Sequence, residues 1–125
     1  MATTTITDVR TIGVNVSDQD DALGFYVDVL GFEKQFDAPI TDSMRWITVA
    51  AAGAATSIAL LTNENAESAG SDTGIRFVVP DAAAEHASMR ERGVNVGELL
   101  LWDGIPPMFT FDDPDGNRFY VVEES

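Results

Sequence analysis

The 125-residue chain contains no cysteine, a single histidine, His86, and a single lysine, Lys34. Without cysteine it can form no disulfide, no thiolate metal site and no cysteine nucleophile. With one imidazole, a histidine-based metal cluster cannot be assembled within one chain, although two copies of a dimer could each contribute one. These absences remove several classes of catalytic and metal site at the start.

Positive charge is also scarce, because 7 Lys and Arg stand against 21 Asp and Glu, and the net charge is −14. A chain with this charge and no basic cluster repels phosphate backbones, so nucleic acid is excluded as an expected partner. Cationic ligands would be attracted, but the acidic residues are scattered in the way of a solvated surface. No apolar run approaches membrane-spanning length and residues 1–5 lack a basic segment followed by an apolar one, so we expect no membrane association and a cytoplasmic location.

What the sequence does contain is a repeat. Asp113-Pro114-Asp115-Gly116 is a turn flanked by aromatic and β-branched strands, and a similar strand, turn, strand order surrounds Gly53. Gly53 and Gly116 are 63 residues apart, as are the predicted helix caps Asp18 and Asp81. An offset held over a helix and a hairpin predicts two copies of one supersecondary unit.

The pattern of each copy is strand, helix and three further strands. The segment 11–16 alternates like a half-buried strand, apolar residues at helical spacing follow Asp18, and Gly31 stops that helix. In the second copy, strand 75–79 precedes a helix from Asp81 to Gly93, and residues 94–101 are predicted to form its next strand. The chain is therefore predicted to be one α+β domain over residues 1–125, with βαβββ modules at about 6–62 and 73–124 and a linker at about 63–72.

The motifs Asn15-Val16-Ser17-Asp18, Phe25 to Phe32 and the Asp-Pro-Asp-Gly-Asn turn resemble those of the vicinal-oxygen-chelate superfamily, which covers glyoxalases, bleomycin-resistance proteins and dioxygenases. The resemblance extends from about Ile6 to Glu123. It implies two modules whose sheets curl around a cavity, commonly in a homodimer. It does not specify a reaction, since one fold carries many functions.

Metal enzymes of that superfamily carry ligands at positions that correspond here to Thr11, Ala59, Gly74 and Tyr120. Glycine and alanine offer no donor, and neutral threonine or tyrosine oxygens bind divalent ions poorly. The sequence therefore predicts no metal site and no cofactor. Tyr120 and His86 remain candidates for an acid or a base, although a packed or exposed helix residue is the simpler interpretation of His86.

Strand periodicity gives candidates for the ligand-binding face. If Ile12 and Val14 pack on the helix, the opposite side of each sheet faces the cavity. Arg76 is the most informative of the candidates, because an inward arginine needs an anionic partner, a nearby aspartate or a ligand. Trp102 is added from the loop 101–108, which is expected to be a lid or a dimer contact. The predicted ligand-binding residues are Asn15, Trp46, Thr48, Arg76, Trp102, Phe109, Phe111 and Tyr120.

Two functions follow from these residues, and they belong to different classes. The first is a metal-free protein that binds a small molecule, such as an antibiotic or a metabolite, and sequesters it, as bleomycin-binding relatives do. The alternative is a lyase, isomerase or dioxygenase of the superfamily that uses a displaced metal or an acid or base. A purely structural dimer with a filled core is a third, weaker possibility.

Overall fold

The computed structural model describes residues 3–42, 44–62 and 70–124. It contains two βαβββ modules, each built on a mixed four-stranded sheet. The first sheet has the order β1-β4-β3-β2 and the second the order β5-β8-β7-β6, so the two copies share one topology. The strands are β1 (Thr11–Asn15), β2 (Glu33–Pro39), β3 (Arg45–Ala50), β4 (Ser57–Leu61), β5 (Asp72–Val79), β6 (Asn95–Val96), β7 (Met108–Asp112) and β8 (Arg118–Glu123).

The first strand of each module is an edge strand that pairs in parallel with the last. Ile12 lies opposite Ile58 in the first module, and Phe77 lies opposite Val121 in the second. The two sheets and their equal strand order confirm the predicted α+β class and the repeat.

The first helix begins where the sequence predicts and then changes from an α-helix to a π-helix. The Asp18 carboxylate accepts a hydrogen bond from the amide of Asp21 and caps α1 (Gln19–Leu23). A π-helical segment, Gly24–Val29, continues it, and the amide of Leu30 bonds the carbonyl five residues back, at 2.9 Å. Helical spacing alone did not predict this widened turn.

The second helix is regular. The Asp81 carboxylate accepts from the amide of Ala84 at 3.0 Å and caps α2 (Ala82–Glu91). Gly93 follows with a φ of +81°, a conformation that favours glycine. Both predicted caps are therefore confirmed.

The strand predicted at residues 94–101 is wrong in extent. Only Asn95–Val96 pairs as a strand, and Leu100 forms a single further bridge to Met108. The interruption lies at Gly97, where an added Cβ would stand 2.6 Å from Oγ1 of Thr110. The Gly97 carbonyl bonds the His86 ring at 2.8 Å.

The Asp-Pro-Asp-Gly-Asn turn joins the modules. The solvated surface expected of the scattered acidic residues does not include Asp113, which is 5% exposed and accepts a 2.7 Å hydrogen bond from the hydroxyl of Tyr26. Its other carboxylate oxygen accepts hydrogen bonds from the backbone amides of Asp115 and Asn117 and so closes the turn. Nδ2 of Asn117 reaches the carbonyl of Asn15 in the first module at 2.8 Å.

Residues 63–69 of the predicted linker lie outside the described residues. The end of the linker is described, and there the amides of Gly70 and Ser71 both donate to Oδ1 of Asn117. One asparagine thus holds the first module, the end of the linker and its own turn.

The apolar core is one cluster that draws residues from both modules. Tyr26 from the first helix packs edge-on against Phe119 of β8, with ring centroids 6.1 Å apart. Phe32 likewise packs against Phe77 at 5.4 Å. No helix in the described part of the chain is long and apolar enough to cross a membrane.

Candidate functional site

A pocket of about 600 Å³ lies between the two modules, and we call it the intermodule pocket. It lies beside β1 and β5, the edge strands that contribute Ile12 and Ile75 to its wall. Its wall is mostly apolar, which is the usual composition of a site for a small organic molecule. The main lining side chains are Ile12, Leu30, Phe32, Ile58, Ile75, Phe77, Val79, Met89, Phe111 and Val121, with Val9, Ala51, Ala54, Thr56, Arg76, Val78 and Glu85 around them.

Two of the lining residues carry charge. Glu85 is neutralised locally, since its carboxylate accepts a 3.0 Å hydrogen bond from Nη2 of Arg92. Arg76 borders the pocket on β5, but it alternates with Ile75 and Phe77, so its side chain points to the other face of the strand, where Tyr120 lies. Thr56 is satisfied by the carbonyl of Val9 at 2.9 Å, so it offers no free donor to a ligand.

Arg76 is held in a defined position. Its guanidinium lies 4.6 Å from the centroid of the Tyr120 ring, and Nη1 donates to the carbonyl of Gly74 at 2.8 Å. The Tyr120 hydroxyl in turn donates to Asp72 at 2.6 Å. That bond raises the pKa of Tyr120 and is the largest cause of the lowered pKa of Asp72, to which the Gly74 amide also donates.

Trp46 and Thr48 line a second, more polar hollow of about 430 Å³. Thr11 lies there too and shares a 2.9 Å hydrogen bond with the Ser57 hydroxyl. The hollow contains neither Arg76 nor Tyr120, and the intermodule pocket contains Arg76 without Trp46. Within one chain the two predicted groups of ligand-binding residues therefore do not form one cavity.

Phe109 and Phe111 were predicted to share the face of Tyr120, and this is wrong. The register pairs Phe109 with Val121 and Phe111 with Phe119, while Tyr120 lies opposite Thr110. Paired residues of an antiparallel ladder point to the same side of the sheet. Phe109 is 0% exposed in the core, whereas Phe111 borders the intermodule pocket.

The remaining candidates lie apart from the pocket. Asn15 contributes its carbonyl to the bond with Asn117. Trp102 is 60% exposed on its loop and is not part of the pocket wall.

The positions that the superfamily resemblance assigns to metal ligands do not fit a divalent ion. Ala59 and Gly74 have no donor atoms, the Thr11 hydroxyl is bonded to Ser57, and the hydroxyl of Tyr120 is bonded to Asp72. Within residues 3–42, 44–62 and 70–124, no group of three or more His, Cys, Asp or Glu could hold a metal ion.

The ring of His86 is hydrogen-bonded and packed within the protein. Its Nε2 is 2.8 Å from the carbonyl of Gly97, and its ring packs edge-on against Phe109 at 4.9 Å. Because a carbonyl can only accept, Nε2 carries the proton there. His86 does not line the intermodule pocket.

Sequence reasoning missed most of the pocket wall. The alternation that put Ile12 on the helix side of its strand applies equally to Ile75 and Phe77, but part of that side is open and these three residues line the pocket. Their alternating pattern is the same for a filled core and for a pocket, so no signal in the sequence separates the two.

The family model described as the Glyoxalase/Bleomycin resistance protein/Dioxygenase superfamily matches residues 9–121. Among curated proteins, YurT of Bacillus subtilis (strain 168) is 30% identical over 119 residues, which cover 87% of this chain and 93% of YurT.

Two solved structures are similar over nearly the whole chain. TnmS3, an antibiotic binding protein from Streptomyces sp. CB03234, is 33% identical with a TM-score of 0.86, covering 98% of this chain and 100% of TnmS3. A superfamily member from Sphaerobacter thermophilus DSM 20745 is 38% identical with a TM-score of 0.86, covering 95% and 98% of the two chains.

Proposed function

Because the chain belongs to the Glyoxalase/Bleomycin resistance protein/Dioxygenase superfamily, whose chemistry the fold leaves open, we propose that it is a metal-free protein that binds and sequesters a small, largely apolar organic molecule. The observation that carries this proposal is the intermodule pocket, with a volume of about 600 Å³ and an apolar wall. The size and the wall suit a drug-sized or metabolite-sized ligand. The similarity to TnmS3 supports an antibiotic as one kind of ligand.

The two candidate acid or base residues, His86 and Tyr120, are placed in a way that does not favour the enzyme alternative. His86 and Tyr120 are both engaged in hydrogen bonds within the protein, to Gly97 and Asp72, and neither lines the intermodule pocket. The superfamily's metal positions carry poor donors. Binding without conversion is the function that these side chains support best.

We also propose that the working form is a homodimer. The edge strands β1 and β5 leave backbone groups unpaired beside the pocket, where Val9 and Val78 are 56% and 65% exposed. Exposed apolar edge strands are usually covered by a partner. In a dimer, Trp46 and Thr48 of one copy could also lie near Arg76 and Tyr120 of the other copy, which they do not within one chain.

The binding proposal is tested with N-phenyl-1-naphthylamine, a neutral fluorescent aromatic molecule. We expect saturable binding by the wild type, unchanged after dialysis against EDTA. Ala54→Trp places an indole at the pocket wall and is expected to weaken binding at least about 10-fold, a loss of roughly 1.4 kcal/mol.

The matched control is Ala52→Trp, in the same exposed turn but outside the pocket wall. It is expected to bind the probe like the wild type. Absence of binding by the wild type, equal binding by the two tryptophan variants, or loss of binding on removal of metal would each contradict the proposal.

A further inference from the structure

The chain contains two Asp-Gly pairs, Asp103-Gly104 and Asp115-Gly116, and the fold places them in opposite surroundings. An Asp-Gly pair is chemically labile, because glycine has no side chain to hinder the attack of its amide nitrogen on the carboxyl carbon of the aspartate. The attack needs a carboxylate that is not held elsewhere and a backbone that can rearrange. Whether such a pair reacts in a folded protein therefore depends on the bonds that hold these two groups.

The Asp115-Gly116 pair is held on both sides. The carboxylate of Asp115 accepts hydrogen bonds from the hydroxyl and the amide of Ser17, at 2.5 and 3.2 Å. The amide of Gly116 donates to the carbonyl of Asp113 at 2.9 Å, inside the turn that joins the modules. An attack by this nitrogen would have to break its own hydrogen bond and move the carboxylate away from Ser17, so the fold protects this pair.

The Asp103-Gly104 pair lies in a turn of the loop 101–108, where the amide of Ile105 donates to the carbonyl of Trp102 at 3.3 Å and Gly104 has a φ of +80°. In the described part of the chain, neither the carboxylate of Asp103 nor the amide of Gly104 has a hydrogen-bond partner. Residues 101–106 are all exposed. Exposed loops with few hydrogen bonds open at little cost in free energy, so this pair can reach the reactive geometry.

We propose that Asp103 is a site of spontaneous isoaspartate formation in the folded protein. The nitrogen of Gly104 forms a bond to Cγ of Asp103, water leaves, and a five-membered succinimide results. Water then opens the ring at one of its two carbonyls. Opening at Cγ restores aspartate, whereas opening at the main-chain carbonyl leaves a chain that runs through Cβ and Cγ. The sequence of steps consumes no oxidant, reductant or cofactor.

The product changes the loop and leaves the intermodule pocket as it is. An isoaspartate adds one methylene to the main chain and carries a free α-carboxylate, so it alters the turn that presents the exposed Trp102. No residue of the loop 101–108 lines the pocket. The same carboxylate is the group that isoaspartate-specific methyltransferases recognise, so this loop is also where such a repair enzyme would act.

The rates at the two pairs within one protein test the inference. The full-length protein is aged at physiological temperature and pH, trypsin releases residues 93–118, which contain both pairs, and electron-transfer fragmentation locates each isoaspartate. We expect isoaspartate to accumulate at least about 10-fold faster at Asp103 than at Asp115, the factor that corresponds to one hydrogen bond that must break. In urea the two sites should react at similar rates, because only the fold distinguishes them.

Two variants serve as controls. Asp103→Glu should abolish the modification at this position, because a glutamate would have to close a less favourable six-membered ring. Ser17→Ala removes a bond to Asp115 and should raise the rate at Asp115 while leaving that at Asp103 unchanged. An absence of isoaspartate at Asp103, equal rates at the two sites of the folded protein, or the same difference in urea would overturn the inference. Probe binding plays no part in this test, so the proposed function stands or fails separately.

Discussion

At the scale of single residues, buried hydrogen bonds decide how the modules are joined. The hydroxyl of Tyr26, at 0% exposure, donates to the buried carboxylate of Asp113. Burial raises the pKa of Tyr26 far above its usual value, and the adjacent Asp113 carboxylate adds to the increase. The tyrosine therefore remains a neutral donor at any physiological pH.

The sequence predicted the turn but not the hydrogen bond between Tyr26 and Asp113. Asp112 and Asp113 are neighbours of the same residue type, yet one pairs with Arg118 near the surface and the other is buried against Tyr26. Side-chain alternation sends them to opposite sides, and the partner on the buried side comes from 87 residues away. A partner at that distance cannot be derived from local pattern.

Tyr26→Phe tests the contribution of this bond. Removing a buried donor to a charged acceptor is expected to lower the free energy of unfolding by about 1–3 kcal/mol. Urea denaturation measures the loss. Tyr120→Phe is the matched control, because the same hydroxyl is removed from an exposed bond, to Asp72. The control should lose less; an equal or greater loss would contradict the assignment.

At the scale of elements, the two helices begin with the same kind of cap, but the end of the first helix is held by a residue of the other module. Asp18 and Asp81 cap the two starts in the same way, as the repeat predicted. The end of the first helix is held from the other module: Nη1 of Arg92 donates to the carbonyls of Val29 and Leu30 at 2.6 and 3.2 Å. A cation at these carbonyls complements the negative end of a helix.

Arg92→Ala is expected to lower the free energy of unfolding by about 1 kcal/mol, the size of a cation at a helix C-terminus. Arg92→Lys, which keeps the charge without the fork of donors, should lose less. Thermal or urea unfolding measures both. Arg90→Ala, on the same helix and exposed, should change stability by no more than about 0.5 kcal/mol; a loss equal to that of Arg92→Ala would contradict the role of the contact.

At the scale of the whole molecule, the edge strands β1 and β5 both contribute residues to the wall of the intermodule pocket. β1 and β5 are each the outer strand of a sheet, and Val78 on β5 is 65% exposed. The loop 101–108 is a second exposed apolar surface, with Leu101 at 67% and Trp102 at 60%. Both are candidates for the surface on which a second copy binds.

We expect the purified wild type to have the mass of a dimer by light scattering. Val78→Lys should shift it to the monomer, since lysine on an edge strand discourages strand pairing. Leu101→Lys, at similar exposure, should remain a dimer. A monomeric wild type would contradict the dimer, and a monomer from Leu101→Lys alone would move the interface to the loop.

The sequence by itself determined the local and repeated features of this protein. Strand alternation, the capping aspartates and the stop glycines are set by neighbours a few residues apart, and with the 63-residue offset they predicted the strand order of both modules, although not the extent of the strand after the second helix. The resemblance carried by the same motifs identified the superfamily that the comparisons confirm.

Only the tertiary structure decided which apolar faces close and which stay open. Phe109 lies in a filled core and Ile75 in a pocket wall, although both lie on alternating strands. The difference depends on how closely two modules distant in sequence approach each other.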